Sequence, residues 1–454
     1  MEYNELRKQY QTFYYHDYQI DEDDLSFKVT YHFEIEGLST FAPTFTIPKK
    51  EQTTFSQYQL VKNAAFHLGM VELISYWKIA CPKKVIVECS TLDEYQVKWW
   101  KKLYFHGLGE FFYKNGIEPD MDTFMDLTSS GNVIEGNEYN GTYHGNLIPV
   151  GGGKDSFVTL HLLEKEKEQN TAFIINPIIS AVNAAHAAGY QENENLVQTR
   201  RTLDQNMLDL NKQGYLNGHT PFSAMAAFAS YLTAMIYHKK YIVLSNEASA
   251  NESTIKGSTV NHQYSKSFAF EKDFKEYVDK YLTNEIHYFS LLRPLSELQI
   301  ARIFSTEKPY LSVFRSCNVG QKKGVWCGEC AKCLFVCIMM SAFLPQNEVI
   351  NIFHKDMLND ANMRVLFEQL TGILDDKPFE CVGTRDEVNI AICMAISTME
   401  QEQKEIPLLM KEYQQSKYYQ YYKDKKIDML EYQEENLLPE SFANIVKEEL
   451  RLLA

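Results

Sequence analysis

The chain has 454 residues, 45% of them hydrophobic and 23% charged, with a formal net charge of −15, a length that supports two or three domains. No apolar run approaches the roughly 20 residues needed to cross a bilayer, and Met1–Lys8 lacks the apolar core of a signal peptide, so the expected address is the cytoplasm, with no membrane partner. The acidic balance opposes a broad surface for a phosphate backbone, so nucleic acid is not an expected partner.

Leu25, Phe27, Val29, Tyr31, Phe33 and Ile35 alternate with polar residues, the period-two pattern of a half-buried strand, which Glu36-Gly37 turns. Thr40 to Ile47 reads as a second strand. Val61, Ala64, Ala65 and Leu68 follow the i, i+3, i+4, i+7 spacing of an amphipathic helix, and another helix is expected over Leu92 to Lys114. Residues 1–140 therefore read as an α+β domain, closed by the Gly- and Asn-rich stretch Gly131–Asn146.

From Asn146 short apolar strands alternate with helices: Leu147–Val150, Ala172–Ile175 and Tyr241–Leu244. This is the signature of a doubly wound parallel sheet in an α/β domain, expected over residues 141–345, with ligands collected at the carboxyl ends of the strands. Residues 346–454 read as mostly helical, and the Tyr-rich segment Glu412–Lys426 as a solvated helix.

The first apolar strand of that domain runs into Pro149-Val150-Gly151-Gly152-Gly153-Lys154-Asp155-Ser156. Consecutive glycines let backbone N–H groups approach an anion, and a helix starting near Asp155 adds its positive end. A simple tight turn would need neither three glycines nor the Lys-Asp-Ser that follows. In the phosphate reading Ser156 hydrogen-bonds an oxygen, Lys154 neutralises charge and Asp155 orients metal or nucleotide. The segment matches neither a Walker loop nor a Rossmann fingerprint. It resembles the PP-loop of the ATP pyrophosphatases, which implies cleavage of ATP between its α and β phosphates and transfer of AMP to an oxygen.

Four of the nine cysteines, Cys317, Cys327, Cys330 and Cys333, give the spacing C-x9-C-x2-C-x2-C. Close thiolate pairs suit a tetrahedral ion, and a structural Zn2+ is expected, with no open coordination position; an iron–sulfur cluster or free thiols are the alternatives. Asn246 and Glu247 directly follow the Tyr241–Leu244 strand, where a carboxylate holds Mg2+ or ribose, or simply begins a helix. His219 is read as a substrate-binding residue or as a cap for a helix over 221–237. His262 and Lys266 form a polar segment suited to carboxylates or phosphates, Arg293 is a carboxylate clamp or a structural ion pair, and Cys381 is a proton-transfer thiol or a buried inert one.

Together, Ser75-Tyr76-Trp77-Lys78, Gly107-Leu108-Gly109-Glu110-Phe111, the glycine loop, Asn217-Gly218-His219, Ser245-Asn246-Glu247, Asn261–Ser267, Phe289–Pro294, the cysteine cluster and Lys377–Gly383 resemble the UDP-N-acetylmuramoyl-L-alanyl-L-glutamate epimerase family, the MurL family. The family pattern would place Arg at Ala248 and Tyr at Trp77. The resemblance implies an ATP-dependent isomerase that adenylates a carboxylate with ATP and Mg2+ and inverts the neighbouring Cα. Its substrate would be a UDP-N-acetylmuramoyl dipeptide in peptidoglycan precursor synthesis, supplied by a ligase that adds L-glutamate. Cys381, His262 and Lys266 are the expected catalytic residues, and Arg293 and His219 the expected substrate ligands. Another adenylating PP-loop enzyme acting on a nucleobase or tRNA, or a nucleotide-sensing binding protein, is the competing reading.

Overall fold

A computed structural model describes residues 2–248, 264–378, 380 and 382–453. Among them are eleven strands, β1 (Thr12–Glu22), β2 (Ser26–Ile35), β3 (Ser39–Phe41), β4 (Thr44–Pro48), β5 (Lys84–Val87), β6 (Asp126–Ser129), β7 (Asn146–Pro149), β8 (Asn170–Ile175), β9 (Leu196–Thr202), β10 (Tyr241–Leu244) and β11 (His287–Ser290), together with many helices. The α/β class expected from the sequence is thus observed. The chain divides into two compact units, the first made of residues 1–147, 197–242 and 260–287, the second of 148–196, 243–259 and 288–454.

In unit 1 the strand order is β9-β4-β2-β1-β5-β6, with β3 beside β2. β1 and β2 pair antiparallel, as do β2 with β4 and β4 with β9, while β5 and β6 add in parallel. Every second side chain of β2 is buried, as the alternation predicts. The pattern stops short of Leu25, which is 78% exposed. The segment from Thr40 to Ile47 is two strands rather than one, because Ala42-Pro43 interrupts it and Pro43 has no N–H for a ladder.

The helix expected around Val61 runs from Gln59 to Trp77 but has no polar face beyond its first turn and a half; every residue from Ala64 to Trp77 is buried. It is covered by β1 and β2 and by the helix Phe222–Ile236, and a helix covered on several sides need not be amphipathic. The region Leu92–Lys114 folds as two helices, Glu94–Gly107 and Gly109–Lys114. The first opens with a capping box between Asp93 and Gln96.

In unit 2 the strands whose carboxyl ends belong to it are ordered β11-β10-β7-β8. Between β7 and β8 lies the helix Lys154–Leu162, which packs against the helices Glu297–Thr306 and Glu440–Leu452. From residue 346 onward the described residues form helices and no strand, as expected. The Tyr-rich segment departs from the solvated helix foreseen for it. Tyr413 and Tyr422 turn inward and donate to Asn389 and Asp386, while Tyr421 stays exposed.

Candidate functional site

The glycine loop of unit 2 is shaped by steric necessity at one position. Gly152 has φ +87°, and a Cβ there would lie 2.6 Å from the backbone carbonyl of Ser180, so only glycine fits without strain. Gly151 differs, since the nearest neighbour to a Cβ would be the Ser156 hydroxyl at 3.9 Å. Ser156 Oγ accepts the Gly151 N–H at 3.0 Å and closes the loop on the first turn of the Lys154–Leu162 helix. Arg315 N–H donates to the Gly152 carbonyl at 2.8 Å. The buried Ser180 hydroxyl has no hydrogen-bond partner, which is costly unless a ligand or water supplies one. The loop thus packs its backbone closely on that of Ser180, a residue whose buried hydroxyl is left for a ligand or water, and a phosphate group fits that chemistry.

Lys154 does not extend freely toward this loop. Its side chain is 1% exposed and its ammonium donates to both Asp155 and Glu297, the latter 2% exposed. Burial acts to lower the Lys154 pKa, but the two carboxylates override it and hold the group above the ordinary lysine value. Burial pushes the Glu297 carboxyl up to about 8, Lys154 opposes this, and Asp155 and Glu247 add to it. Glu387, also raised chiefly by burial, accepts the Glu297 backbone N–H at 2.6 Å. Lys332 also opposes the rise at Glu297, and Asp155 and Glu247 are the carboxylates near this pair that could serve a divalent cation as oxygen ligands.

The carboxyl end of β10 is tied to the same helix and to the end of β11. Thr159 Oγ1 donates to Ser245 Oγ at 2.8 Å, and Asn246 Nδ2 to Ser290 Oγ at 3.2 Å. Arg293 is 1% exposed and donates to the backbone carbonyl of Glu247 at 2.5 Å. The described structure thus brings Gly151–Ser156, Asn246, Glu247 and Arg293 into unit 2.

The four cysteines form one cluster, with all four sulfurs within 4.8 Å of one another. Cys317–Cys330, Cys327–Cys333 and Cys330–Cys333 are 4.0, 3.7 and 3.5 Å apart. These separations are far longer than the ~2.05 Å of a disulfide. They bracket the edge of about 3.8 Å that Zn–S bonds of ~2.3 Å give a tetrahedron. Backbone N–H groups of Gly320 and Cys327 donate to Cys317 Sγ, and that of Glu329 to Cys327 Sγ, which fixes the two sulfurs in place. The cluster can hold a metal such as zinc. Cys330 also precedes the helix Ala331–Ser341, whose Lys332 N–H donates to Glu380 at 2.7 Å.

Of the remaining expected site residues, His262 and Cys381 lie outside the described residues. Lys266 and His219 belong to unit 1. His219 does not cap the following helix, which begins at Phe222 after Pro221 with no side-chain cap; its Nδ1 lies instead 3.7 Å from Glu110. Sequence reading missed Glu297, Glu387 and Ser180, and gave Glu380 no role of its own within Lys377–Gly383. Two of these left a signal, because Ser296–Gln299 and Thr384–Glu387 are capping boxes. The same boxes fix Glu297 and Glu387 at the starts of their helices.

Two family models match the chain, the MurL N-terminal domain over residues 4–291 and the MurL C-terminal domain over 311–425. Three curated relatives are named UDP-N-acetyl-alpha-D-muramoyl-L-alanyl-L-glutamate epimerase. That of Xanthomonas oryzae pv. oryzae is 33% identical over 75% of this chain and 76% of its own length. Those of a Micromonospora species and of Salinispora tropica are each 33% identical over 72% of this chain, covering 73% and 72% of themselves. With both domains matched in order and most of each relative aligned, the chain belongs to the MurL family.

Proposed function

We propose that the protein epimerises the terminal L-glutamate of UDP-N-acetylmuramoyl-L-Ala-L-Glu to D-glutamate, using ATP and releasing AMP and pyrophosphate, as a cytoplasmic step of peptidoglycan precursor synthesis. The observation that carries this reading is the match to both MurL domains, with relatives named for that epimerisation. The glycine cradle and its orphaned Ser180 hydroxyl support the use of a nucleotide. A ligase that adds L-glutamate would supply the substrate.

A free carboxylate resists loss of the adjacent Cα proton because the product concentrates negative charge. Attack of the carboxylate on the α-phosphate of ATP expels pyrophosphate and gives an ester-like acyl adenylate whose Cα proton is more acidic; once the proton has been removed and returned on the other face, water hydrolyses the acyl adenylate to the D-glutamate carboxylate and AMP. Gly152, Gly153 and Ser156 hold phosphate oxygens through backbone N–H and hydroxyl groups, and the Gly151 N–H joins them when it exchanges Ser156 Oγ for a phosphate oxygen. Asp155 and Glu247 hold Mg2+, with Glu247 fixed through its carbonyl by Arg293. Glu297 anchors Lys154, so the loop keeps one fixed positive charge. Cys381 and His262 move the proton at Cα as acid and base, beside Lys266, and His219 binds substrate. A structural Zn2+ on Cys317, Cys327, Cys330 and Cys333 braces the helix whose first turn holds Glu380.

The test incubates the protein with ATP, Mg2+ and UDP-N-acetylmuramoyl-L-Ala-L-Glu in D2O and follows pyrophosphate release and deuterium at the terminal Cα. Both are expected. Pyrophosphate without deuterium would remove the epimerase reading and leave an adenylating enzyme; neither would favour a nucleotide sensor or another substrate.

A further inference from the structure

Each of the three consecutive glycines of unit 2 has a serine of the same unit against it. Ser156 Oγ accepts the Gly151 N–H at 3.0 Å, and a Cβ on Gly152 would meet the Ser180 carbonyl at 2.6 Å. A Cβ on Gly153 would lie 2.6 Å from Ser316 Oγ. This last approach differs in kind from the one at Gly152. It is to a hydroxyl rather than to backbone, and Gly153 has an ordinary φ of −89°. Backbone conformation does not demand a glycine there; the missing side chain leaves room for the Ser316 hydroxyl.

Gly153 immediately precedes the helix Lys154–Leu162, and no side chain caps that helix. At such a position Ser, Thr, Asp or Asn would offer an oxygen to first-turn N–H groups that have no partner within the helix. Gly153 offers none. Ser316 Oγ sits where that side chain would begin, within about 4 Å of the Gly153 Cα given a Cα–C bond of ~1.5 Å. Among the described residues no hydrogen bond engages it. One phosphate group over the first turn can therefore accept from a helix N–H at about 2.9 Å and from this hydroxyl at about 2.7 Å.

Ser316 is held between two anchored neighbours. On one side the Arg315 N–H donates to the Gly152 carbonyl at 2.8 Å, and Arg315 Nε to the Gly324 carbonyl at 3.0 Å. A Cβ on Gly324 would lie 2.9 Å from Ile179 Cγ2, and Ile179 precedes the Ser180 that touches Gly152. The circuit from Gly152 through Arg315, Gly324, Ile179 and Ser180 thus closes back on Gly152. On the other side Cys317 is fully buried and belongs to the four-sulfur cluster. The cysteine cluster and the glycine loop therefore meet at one residue.

We infer that Ser316 is a phosphate ligand of the glycine loop. Its hydroxyl donates to the same phosphate group that the N–H groups at the start of the Lys154–Leu162 helix hold, and the cysteine cluster sets its position through Cys317. The ligand class is a phosphoanhydride with Mg2+, as in ATP or pyrophosphate. This role rests on the reading, proposed above, that the loop binds a nucleotide phosphate, and is independent of the epimerisation.

The test is a double-mutant cycle on the full-length protein, titrated by calorimetry with pyrophosphate and with ATP, each with Mg2+. Ser316→Ala is expected to raise the Kd of at least one probe about tenfold, the loss of one hydrogen bond to a charged group. Its melting temperature without ligand and its metal content should match the wild type, because no hydrogen bond within the protein is lost. Gly153→Ala places a methyl group against the Ser316 hydroxyl and is expected to cost about as much by displacing it. Combined with Ser316→Ala it should bring no second loss, since both changes remove one contact. Unchanged affinity for both probes in Ser316→Ala, or a roughly hundredfold additive loss in the double variant, would overturn the role of Ser316 and leave the loop as a phosphate site. A lower melting temperature or metal content in Ser316→Ala would mark the residue as structural and equally overturn it. Failure of the wild type to bind either probe would remove the phosphate reading and this role together. The expected cycle in a protein that places no deuterium on the substrate Cα would keep Ser316 and remove the epimerase reading alone.

Discussion

Lys154 and Glu297, 143 positions apart in sequence, form an ion pair at 1% and 2% side-chain exposure. The pair ties the first residue of the glycine-loop helix to the first residue of a second helix, whose backbone N–H is in turn held by Glu387. The loop is therefore clamped from outside its own segment, and its lysine acts as an anchored charge.

Removing one member of a buried pair strands the other. Glu297→Ala is expected to destabilise unit 2 by about 3 kcal/mol, read from urea unfolding, while Glu297→Gln, which keeps an acceptor, costs less. A loss below about 1 kcal/mol for the Ala variant, the scale of an exposed pair, would mean that Asp155 alone satisfies the ammonium.

The two glycines of the loop should respond unequally to a methyl group. Gly152→Ala meets the Ser180 carbonyl at 2.6 Å and keeps a left-handed φ of +87°, a conformation that alone costs an L-residue roughly 1–2 kcal/mol. Gly151→Ala meets nothing closer than 3.9 Å. Nucleotide binding, followed with a fluorescent ATP analogue, should be lost in the first variant and weakened less in the second. Equal affinities would count against the cradle.

Unit 1 contains a closed polar network centred on the Tyr277 hydroxyl, which accepts from Trp100 at 3.0 Å and Gln96 at 3.1 Å and donates to His67 at 2.9 Å. Tyr277→Phe leaves these groups unpaired and should cost about 3 kcal/mol. Burial lowers the His67 pKa to about 4, against a smaller opposing effect of the Asn63 carbonyl, so the native state holds the ring neutral. An unfolded histidine titrates near 6.5. Its contribution is therefore complete above about 6.5 and is lost as pH falls through about 4. Thermal melts of the wild type should decline over that window, and less steeply in His67→Gln.

The cysteine cluster predicts a metal content. Elemental analysis should find one zinc per chain in the wild type and little in Cys330→Ser, with a lower melting temperature because metal binding is coupled to folding. The Lys332–Glu380 contact should loosen in parallel, seen as faster amide exchange at the start of the Ala331–Ser341 helix. Retention of zinc by the variant would contradict the four-thiolate site.

Much of the local structure was legible because it depends on near neighbours. The alternation from Phe27 to Ile35 specifies which face of β2 is buried, the apolar run Tyr241–Leu244 specifies a strand, and three glycines before Lys154 mark a strand-to-helix turn. The cysteine spacing likewise foretold a cluster, since two of its intervals lie within a few residues. The pattern of Leu92–Lys114 reads as one helix because both pieces are helical; the break falls at Leu108, between Gly107 and Gly109, beside the close packing of Pro221 on Gly107.

By itself, then, the sequence determined the α/β character, the glycine-rich strand-to-helix turn, the four-cysteine cluster and the family. Only the tertiary structure decided what the charges do. That Lys154 is claimed by Glu297, that Arg293 serves the Glu247 carbonyl, and that Lys78 meets Gly218 all depend on contacts between residues remote in sequence. Periodicity reports burial on one element at a time, whereas the partner of a buried charge is set by which elements the fold lays side by side.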